Sequence, residues 1–417
     1  MKPKFLQFFL IAAIFSLFGY YFGVSKVSWE WKNYQPKVNV INREPPTSIS
    51  TVDFSLFWTV WQKLQFSYYD KKAVDPNKLL NGAISGMVQS VGDPYTVFLP
   101  PVQNNDFKQG LAGQFQGIGA ELGVKGKQII VVAPLDGSPA QKAGIKAGDA
   151  ILKVNGALTE GWNLSQAVEK IRGPKGTDVI LTILHKDASK TQDIKITRDT
   201  ITVKSVSMWV KKTGEIEGVK IDKKFANDEI AYIRLSQFGD NTNQEWLSLA
   251  NKLSLDIAKD NKIKGLVLDL RNNPGGYLTD ATFIASEFIK SGTVVIQDTG
   301  NGETTPFTVL RKGLLADVSL VVLINKGSAS ASEIVAGALR DYERAKLVGE
   351  TSFGKGTIQQ AEDLGNGAGL HVTIAKWLTP KGIWVHGKGL TPDYSISLDA
   401  KDLSHDTQLE KAIQILL

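Results

Sequence analysis

A mixed α/β fold spread over more than one domain is what this sequence predicts, and three observations lead there. Its 417 residues are enough to bury two or three hydrophobic cores. From Ile230 onward, short apolar runs alternate with segments of helical periodicity. Such repeated β–α units gather their loops at the carboxyl ends of the strands. Between Gly113 and Arg198, by contrast, glycine-punctuated strands are interrupted by only two short helical segments. No internal repeat is visible, and the composition is that of an ordinary globular protein.

Lys2 and Lys4 precede an uncharged stretch from Phe5 to Val24 that is dominated by Phe, Leu, Ile and Ala. A spanning helix needs roughly 20 apolar residues, and no small-x-small cleavage site stands before Ser25. Residues 1–25 are therefore expected to form an uncleaved signal anchor that crosses the cell membrane once, through residues 5–24. The leading positive charge predicts a body on the outer or periplasmic side. Residues 26–50 carry the Glu44-Pro45-Pro46-Thr47 turn without clear periodicity and read as a linker. Residues 51–112 read as a helical region. Phe54, Phe57, Trp58, Trp61, Leu64 and Tyr68 recur at helical spacing, a second helix runs from Pro76 to Val91, and Gly92-Asp93-Pro94-Tyr95 ends it. This region suggests a cap or a homodimerisation arm, and core packing accounts for its aromatics.

Composition removes several function classes. The chain has no cysteine, which excludes thiolate catalysis and disulfides. A net charge of +6 is spread along the chain without arginine-rich blocks, so nucleic acid is not an expected partner. The four histidines, His185, His371, His386 and His405, show no metal-ligand spacing. Neither a metal nor a cofactor is expected, since phosphate-loop and dinucleotide fingerprints are also missing.

Gln116-Gly117-Ile118-Gly119-Ala120-Glu121-Leu122 is a glycine-rich entry into an alternating strand, and Gln128 to Ala133 is another strand. Ala147 to Gly156 reads as a strand closing on an Asn-Gly turn, and a helix follows from Leu164 to Ile171. On the run Gly148-Asp149-Ala150-Ile151-Leu152-Lys153-Val154-Asn155-Gly156, residues 113–200 resemble a PDZ domain. The resemblance implies a groove between the Ile118–Leu122 strand and the Leu164–Ile171 helix. A peptide carboxyl end would add there as a strand, its carboxylate on backbone N–H groups around Gly117, Ile118, Gly119 and Ala120.

Further on, Val318 to Asn325 is a buried strand leading into Lys326-Gly327-Ser328-Ala329-Ser330-Ala331-Ser332-Glu333 and a helix to Tyr342. Ser330 with Glu333 is a capping box that needs no catalysis, yet a helix amino terminus is also where N–H groups can hold an oxyanion. Lys355 lies between two glycines beside Phe353, with Gln359 four residues on. A desolvated lysine can serve as a base for a serine hydroxyl. Gln359 can accept from the amine, or it can be an ordinary strand residue. The Arg271-Asn272-Asn273-Pro274-Gly275-Gly276 loop offers a further backbone donor, or only a tight turn.

Taken in order, the apolar amino terminus, the PDZ-like block, N-P-G-G, S-A-S-A-S-E and G-K-G-T-I-Q resemble the carboxyl-terminal processing peptidases. Thr391-Pro392-Asp393 and Asp406-Thr407-Gln408-Leu409 extend the likeness. The resemblance implies a core of crotonase-like type over residues 201–417 with a Ser-Lys dyad. Ser330 matches the nucleophile, Lys355 the general base, Gln359 the residue orienting that base, and the N–H groups of Gly276 and Ala331 the oxyanion hole. It also implies protein or peptide substrates with apolar carboxyl termini, read by the PDZ groove. Two rivals are a non-cutting PDZ adaptor and an acyl-CoA hydratase-like enzyme. The intact Ser330, Lys355 and Gln359 speak against the first, and the PDZ-like block and anchor against the second.

Overall fold

The computed structural model describes residues 27–32, 35–40 and 52–417, except 127, 136, 187, 260–261, 399–401 and 403. The anchor expected over residues 5–24 lies outside the described residues; among those described, no helix is long and apolar enough to cross a membrane. The chain divides between Gly82 and Ala83 into two compact units.

In the first unit, β1 (Val27–Lys32) pairs antiparallel with β2 (Gln35–Val40), Val27 opposite Val40 and Lys32 opposite Gln35. The stretch read as a linker thus holds a hairpin. Val27, Trp29 and Trp31 alternate with polar residues, a period-two strand signal that the polar surroundings hid. α1 (Ser55–Ser67) follows, its first turn held by Asp53, which accepts from the Ser55 N–H at 2.8 Å. Core packing does not account for its aromatics. No residue of α1 is buried, and Leu56 and Phe66 are 72% and 78% exposed. Its rings pack edge-to-face on each other instead, Phe57 against Trp58 at 5.0 Å. α2 (Pro76–Gln89) spans the boundary between the units.

The second unit opens with β3 (Val97–Leu99) and α3 (Pro101–Leu111). The PDZ-like block then runs β4 (Gln114–Gly117), β5 (Ala120–Lys125), β6 (Gln128–Pro134), α4 (Pro139–Lys142), β7 (Ala150–Val154), β8 (Ala157–Leu158), α5 (Leu164–Ile171), β9 (Asp178–Leu184), β10 (Gln192–Thr197) and β11 (Asp199–Thr202). Its main sheet has the order β10-β9-β7-β6-β5, and β4 pairs with β11. Ile129, Val131, Ile151, Leu181 and Ile183 alternate inward to a core closed by Ala167 and Ile171 of α5. α5 has the expected bounds because Asn163 and Gln166 cap it reciprocally, each side chain accepting from the other's N–H at 2.9 Å.

The remaining elements are β12 (Val206–Lys212), β13 (Glu229–Leu235), α6 (Thr242–Lys259), β14 (Ile263–Asp269), α7 (Leu278–Ala285), β15 (Thr293–Asp298), β16 (Thr304–Thr308), β17 (Leu320–Ile324), α8 (Ala331–Asp341), β18 (Lys346–Gly349), β19 (Thr357–Gly365), β20 (Ala368–Leu378), β21 (Tyr394–Ser395) and α9 (Thr407–Leu416). They build a sheet of order β12-β13-β14-β17-β18-β21, parallel from β13 to β21. Both faces are covered, which is why its strands are continuously apolar. Leu266, Leu268, Val322, Ile324 and Leu347 share a core with Trp246, Ile284 and Val335 from α6, α7 and α8. Val267, Val321, Leu323 and Val348 share another with Leu409, Ala412 and Ile413 of α9. A second sheet, β16-β15-β20-β19, carries β3 on β20.

α7 stops at Ala285, although apolar residues continue to Ile289. Glu287 and Phe288 bond three residues back, and the fully buried Glu287 carboxylate turns inward to accept from Trp246 Nε1 and the N–H groups of Leu314 and Leu315. A buried carboxylate satisfied in this way outweighs one more helical turn.

A buried ionic cluster joins the sheet to α9. The Arg271 guanidinium donates to both oxygens of the fully buried Asp269, and also reaches Asp406 and Gln408, each at 3.0 Å. Tyr232 completes the Asp269 shell at 2.7 Å. Arg271→Met leaves Asp269 charged and short of partners, so chemical denaturation should show a loss of about 3–5 kcal/mol.

Candidate active site

Three neighbouring parallel strands deliver the predicted site residues to one edge. β14 ends in the Asn273–Gly276 loop, β17 in the serine turn, and β18 in the loop carrying Lys355. The carboxyl edge of such a sheet is the usual location of a site in α/β folds.

The structure separates the three serines. Ser328 is fully buried and donates to Leu270 O at 2.8 Å; Ser332 is fully buried and donates to Asn273 O at 2.8 Å. Both fix the turn against the neighbouring loop. The Ser330 hydroxyl donates to no acceptor among the described residues, which leaves its proton available. Ser330 also holds φ 56° and ψ −116°, a conformation strained for any residue with a Cβ. A strand-to-helix turn of this kind lifts a side chain out of the sheet edge.

Glu333 gives the capping box a second meaning. Its carboxylate is fully buried and accepts four hydrogen bonds. Ser330 N–H lies at 2.9 Å, Ser352 Oγ at 2.6 Å, Gly354 N–H at 2.7 Å and Lys355 N–H at 2.9 Å. One side chain therefore holds the serine turn and the lysine loop together.

Lys355 is half-buried, its carbonyl accepting from Trp377 Nε1 at 2.9 Å. Burial pushes its amine below the ordinary lysine value, against the pull of the Asp93 and Glu333 carboxylates. The ammonium lies 5.1 Å from the Tyr95 ring centroid. No hydrogen bond joins it to Ser330 or Gln359 among the described residues. The expected Gln359 contact is thus not formed here. Its carboxamide donates to the Thr357 and Thr373 hydroxyls at 2.9 and 3.0 Å.

The glycine loop meets the serine turn closely. A Cβ on Gly275 would lie 2.8 Å from the Ser330 Cβ and 3.0 Å from the Ala331 nitrogen. Gly276 has φ 141°, and a Cβ there would strike the Phe238 carbonyl oxygen at 1.7 Å. Asn273, fully buried, braces the loop by donating to Leu235 O and accepting from Gly275 N–H. Neither the Gly276 nor the Ala331 N–H donates to an acceptor among the described residues. These are free donors beside a free hydroxyl, the arrangement that acyl transfer requires.

Four further side chains escape a reading of the sequence: Asp93, Tyr95, Tyr277 and Asp280. Asp93 and Tyr95 sit beside Lys355, although Gly92–Tyr95 reads only as a helix stop. Next to Gly276, Tyr277 donates to Asp240 at 2.9 Å, and Asp280 accepts from Asn243 at 2.8 Å.

Away from this edge, Gly117, Ile118, Gly119 and Ala120 line a groove of about 330 Å³ with Val168 and Arg172. The N–H groups of Ile118 and Gly119 donate to no acceptor among the described residues. The Arg172 guanidinium lies over the Phe115 ring at 5.1 Å.

A covered mixed sheet with a serine on a strained strand-to-helix turn, free N–H donors and a half-buried lysine defines a serine hydrolase type of core, here joined to a PDZ domain. Comparison with known proteins agrees. Residues 229–396 match the model of peptidase family S41, residues 108–184 that of the PDZ domain, and residues 14–101 that of the activating protease CtpB N-terminal domain. The chain is 38% identical to a CtpA-like serine protease of Staphylococcus aureus strain COL, over 93% of this chain and 70% of that one. It is 39% identical to a CtpA-like serine protease of Staphylococcus epidermidis strain ATCC 12228, over 86% and 67%. Among solved structures, the photosystem II D1 C-terminal processing protease is 31% identical with a TM-score of 0.50, covering 87% of this chain and 96% of that one. This chain belongs to the S41 serine peptidases of the C-terminal processing type.

The acidic cluster beside Gly276 carries a pH signature. Burial raises the Asp280 carboxyl from 3.8 to about 6, with the Asn243 amide opposing and Asp240 adding to the rise. A raised folded pKa stabilises the protein below the unfolded value and is lost as pH climbs through the folded one. Asp280→Asn should therefore raise Tm at pH 8 relative to the parent, and the difference should vanish near pH 4.

Proposed function

We propose that this protein is a membrane-anchored serine endopeptidase that cleaves polypeptides near their carboxyl ends through a Ser330–Lys355 dyad. One observation carries the reading: of the three clustered serines, Ser328 and Ser332 spend their hydroxyls on backbone carbonyls, whereas Ser330 keeps its proton on a strained turn beside free N–H donors.

In the proposed sequence, neutral Lys355 takes the Ser330 proton and the alkoxide attacks the scissile carbonyl. The resulting oxyanion rests on the Gly276 and Ala331 N–H groups. The protonated amine then gives its proton to the departing nitrogen. Lys355, neutral again, activates the water that releases the acyl fragment. Burial supports this role because it favours the uncharged amine. Gln359 orients that amine once the side chain swings toward Ser330, its carboxamide already fixed by Thr357 and Thr373.

Substrate choice is assigned to the PDZ groove. An apolar terminal side chain fits a cleft lined by Ile118, Leu122, Val168 and Ile171, and the terminal carboxylate fits the Ile118 and Gly119 N–H groups. Residues 5–24 would tether the enzyme to the membrane with its body outside. The uncovered apolar face of α1 favours a homodimer.

The reading is checked by following an unfolded polypeptide with an apolar carboxyl terminus by mass spectrometry. The parent and Ser328→Ala should both release carboxyl-terminal fragments. Ser330→Ala and Lys355→Ala should lower kcat/KM by more than about 1,000-fold. Cleavage that survives Ser330→Ala would remove the nucleophile assignment.

A further inference from the structure

The lysine that the proposed function needs as a base is surrounded by groups that favour its charged form. β3 pairs with β20, Val97 opposite His371, and this pairing lays the Asp93–Thr96 turn against Thr373 of β20 and beside Lys355, just ahead of β19. Asp93 is locked in that turn, accepting from the Tyr95 N–H at 3.0 Å and the Thr96 hydroxyl at 2.7 Å. Thr96 Oγ1 accepts in turn from the Thr373 N–H at 3.1 Å, and Thr373 is one of the two threonines that hold Gln359. The turn is thus fixed to the same strand pair that fixes the lysine's surroundings.

From this platform the Tyr95 ring presents its face to the Lys355 ammonium, 5.1 Å from centroid to Nζ. A cation within about 6 Å of an aromatic face is held by the ring quadrupole, more strongly when partly desolvated. The ring is itself placed by an edge contact with His386 at 6.0 Å, and His386 stacks on Trp384 at 5.1 Å. Besides His386, the ionisable groups that act on the amine or on its ring are Asp93, Glu333, His371 and Tyr95. Asp93 faces the amine from the turn and Glu333 from α8, both favouring the ammonium. His371 on β20 is held below its ordinary value, first by burial and then by the Lys355 charge. Tyr95 is pushed up by burial and by Glu333 and Asp93, so it stays a neutral phenol beside the amine.

We propose that Tyr95 and Asp93 are positioning residues that park Lys355 as an ammonium on the Tyr95 ring, away from Ser330, until it loses its proton. The geometry gives the reason. In the parked position the amine makes a ring contact from which a cation gains more than a neutral amine does, and no hydrogen bond to either Ser330 or Gln359 among the described residues. Deprotonation removes the cation's attraction to the ring and lets the neutral amine turn to the serine. The turn between α2 and β3 therefore sets the pH at which the dyad assembles. This rests on Lys355 being the base, as proposed above.

The test reads the amine directly on the full-length chain. Trace acetylation with acetic anhydride labels only neutral amines, so mass spectrometry of the Lys355 peptide against pH gives its titration midpoint, with exposed Lys252 as an internal reference. Tyr95→Leu and Asp93→Asn each remove a group that favours the charged form. Each should lower the midpoint by about 0.5–1 pH unit, and the acid limb of the cleavage profile should move down with it. Tyr95→Phe keeps the ring and should retain the parental midpoint. Unchanged midpoints in both Tyr95→Leu and Asp93→Asn would overturn the proposal, as would an equal shift in Tyr95→Phe. A parent that cleaves nothing would count against the dyad, while the labelling would still decide the parking contact.

Discussion

One buried carboxylate holds the candidate site together. Glu333 stands in the first turn of α8, accepts from the residue meant to attack, and also from the backbone of the residue meant to take its proton. Four donors around one fully buried acid leave little freedom for either segment. Without it the serine turn and the lysine loop would be joined by the sheet and by the Phe353 N–H donating to Ser328 O at 2.9 Å, with nothing among the described residues tying Ser330 to Lys355. The strained φ of Ser330 persists because this carboxylate and the buried Ser328 and Ser332 hydroxyls over-determine the turn.

The rest of the core supports that junction from below. Arg271 fixes the glycine loop to α9 through Asp269, Asp406 and Gln408, which gives the late Asp406–Leu409 string a structural purpose. Asn273 then sets the loop's distance from the serine turn. In the proposed mechanism the site is fixed where N–H donors would meet an oxyanion, and the part left to move is one long side chain, the lysine. Preorganised donors with a single movable base suit an enzyme whose activity has to be gated.

Much of this was legible in the sequence, for definite reasons. Period-two and period-3.6 patterns locate α2, β6 and α5 to within two residues. The serine turn and glycine loop were visible as strings since their chemistry is local. What escaped was non-local. Gly92–Tyr95 looks like a helix stop, and nothing in its spelling says that β3 will pair with β20 and carry Tyr95 to a lysine far along the chain. Glu333 was read as a cap, its shortest-range role, although three of its four donors come from elsewhere than its own helix end. The α1 aromatics look like core residues because periodicity reports a common face, not what covers it.

The most direct test of this account is amide hydrogen exchange across residues 330–356 in the parent and in Glu333→Gln, beside Ser330 labelling by a fluorophosphonate probe. Slow exchange at Ser330, Gly354 and Lys355 should be lost in the variant, while the PDZ strands keep theirs. Probe labelling should fall at least about 100-fold with it. Retained protection at all three amides, with labelling close to the parent, would contradict the claim that Glu333 couples the two halves of the site.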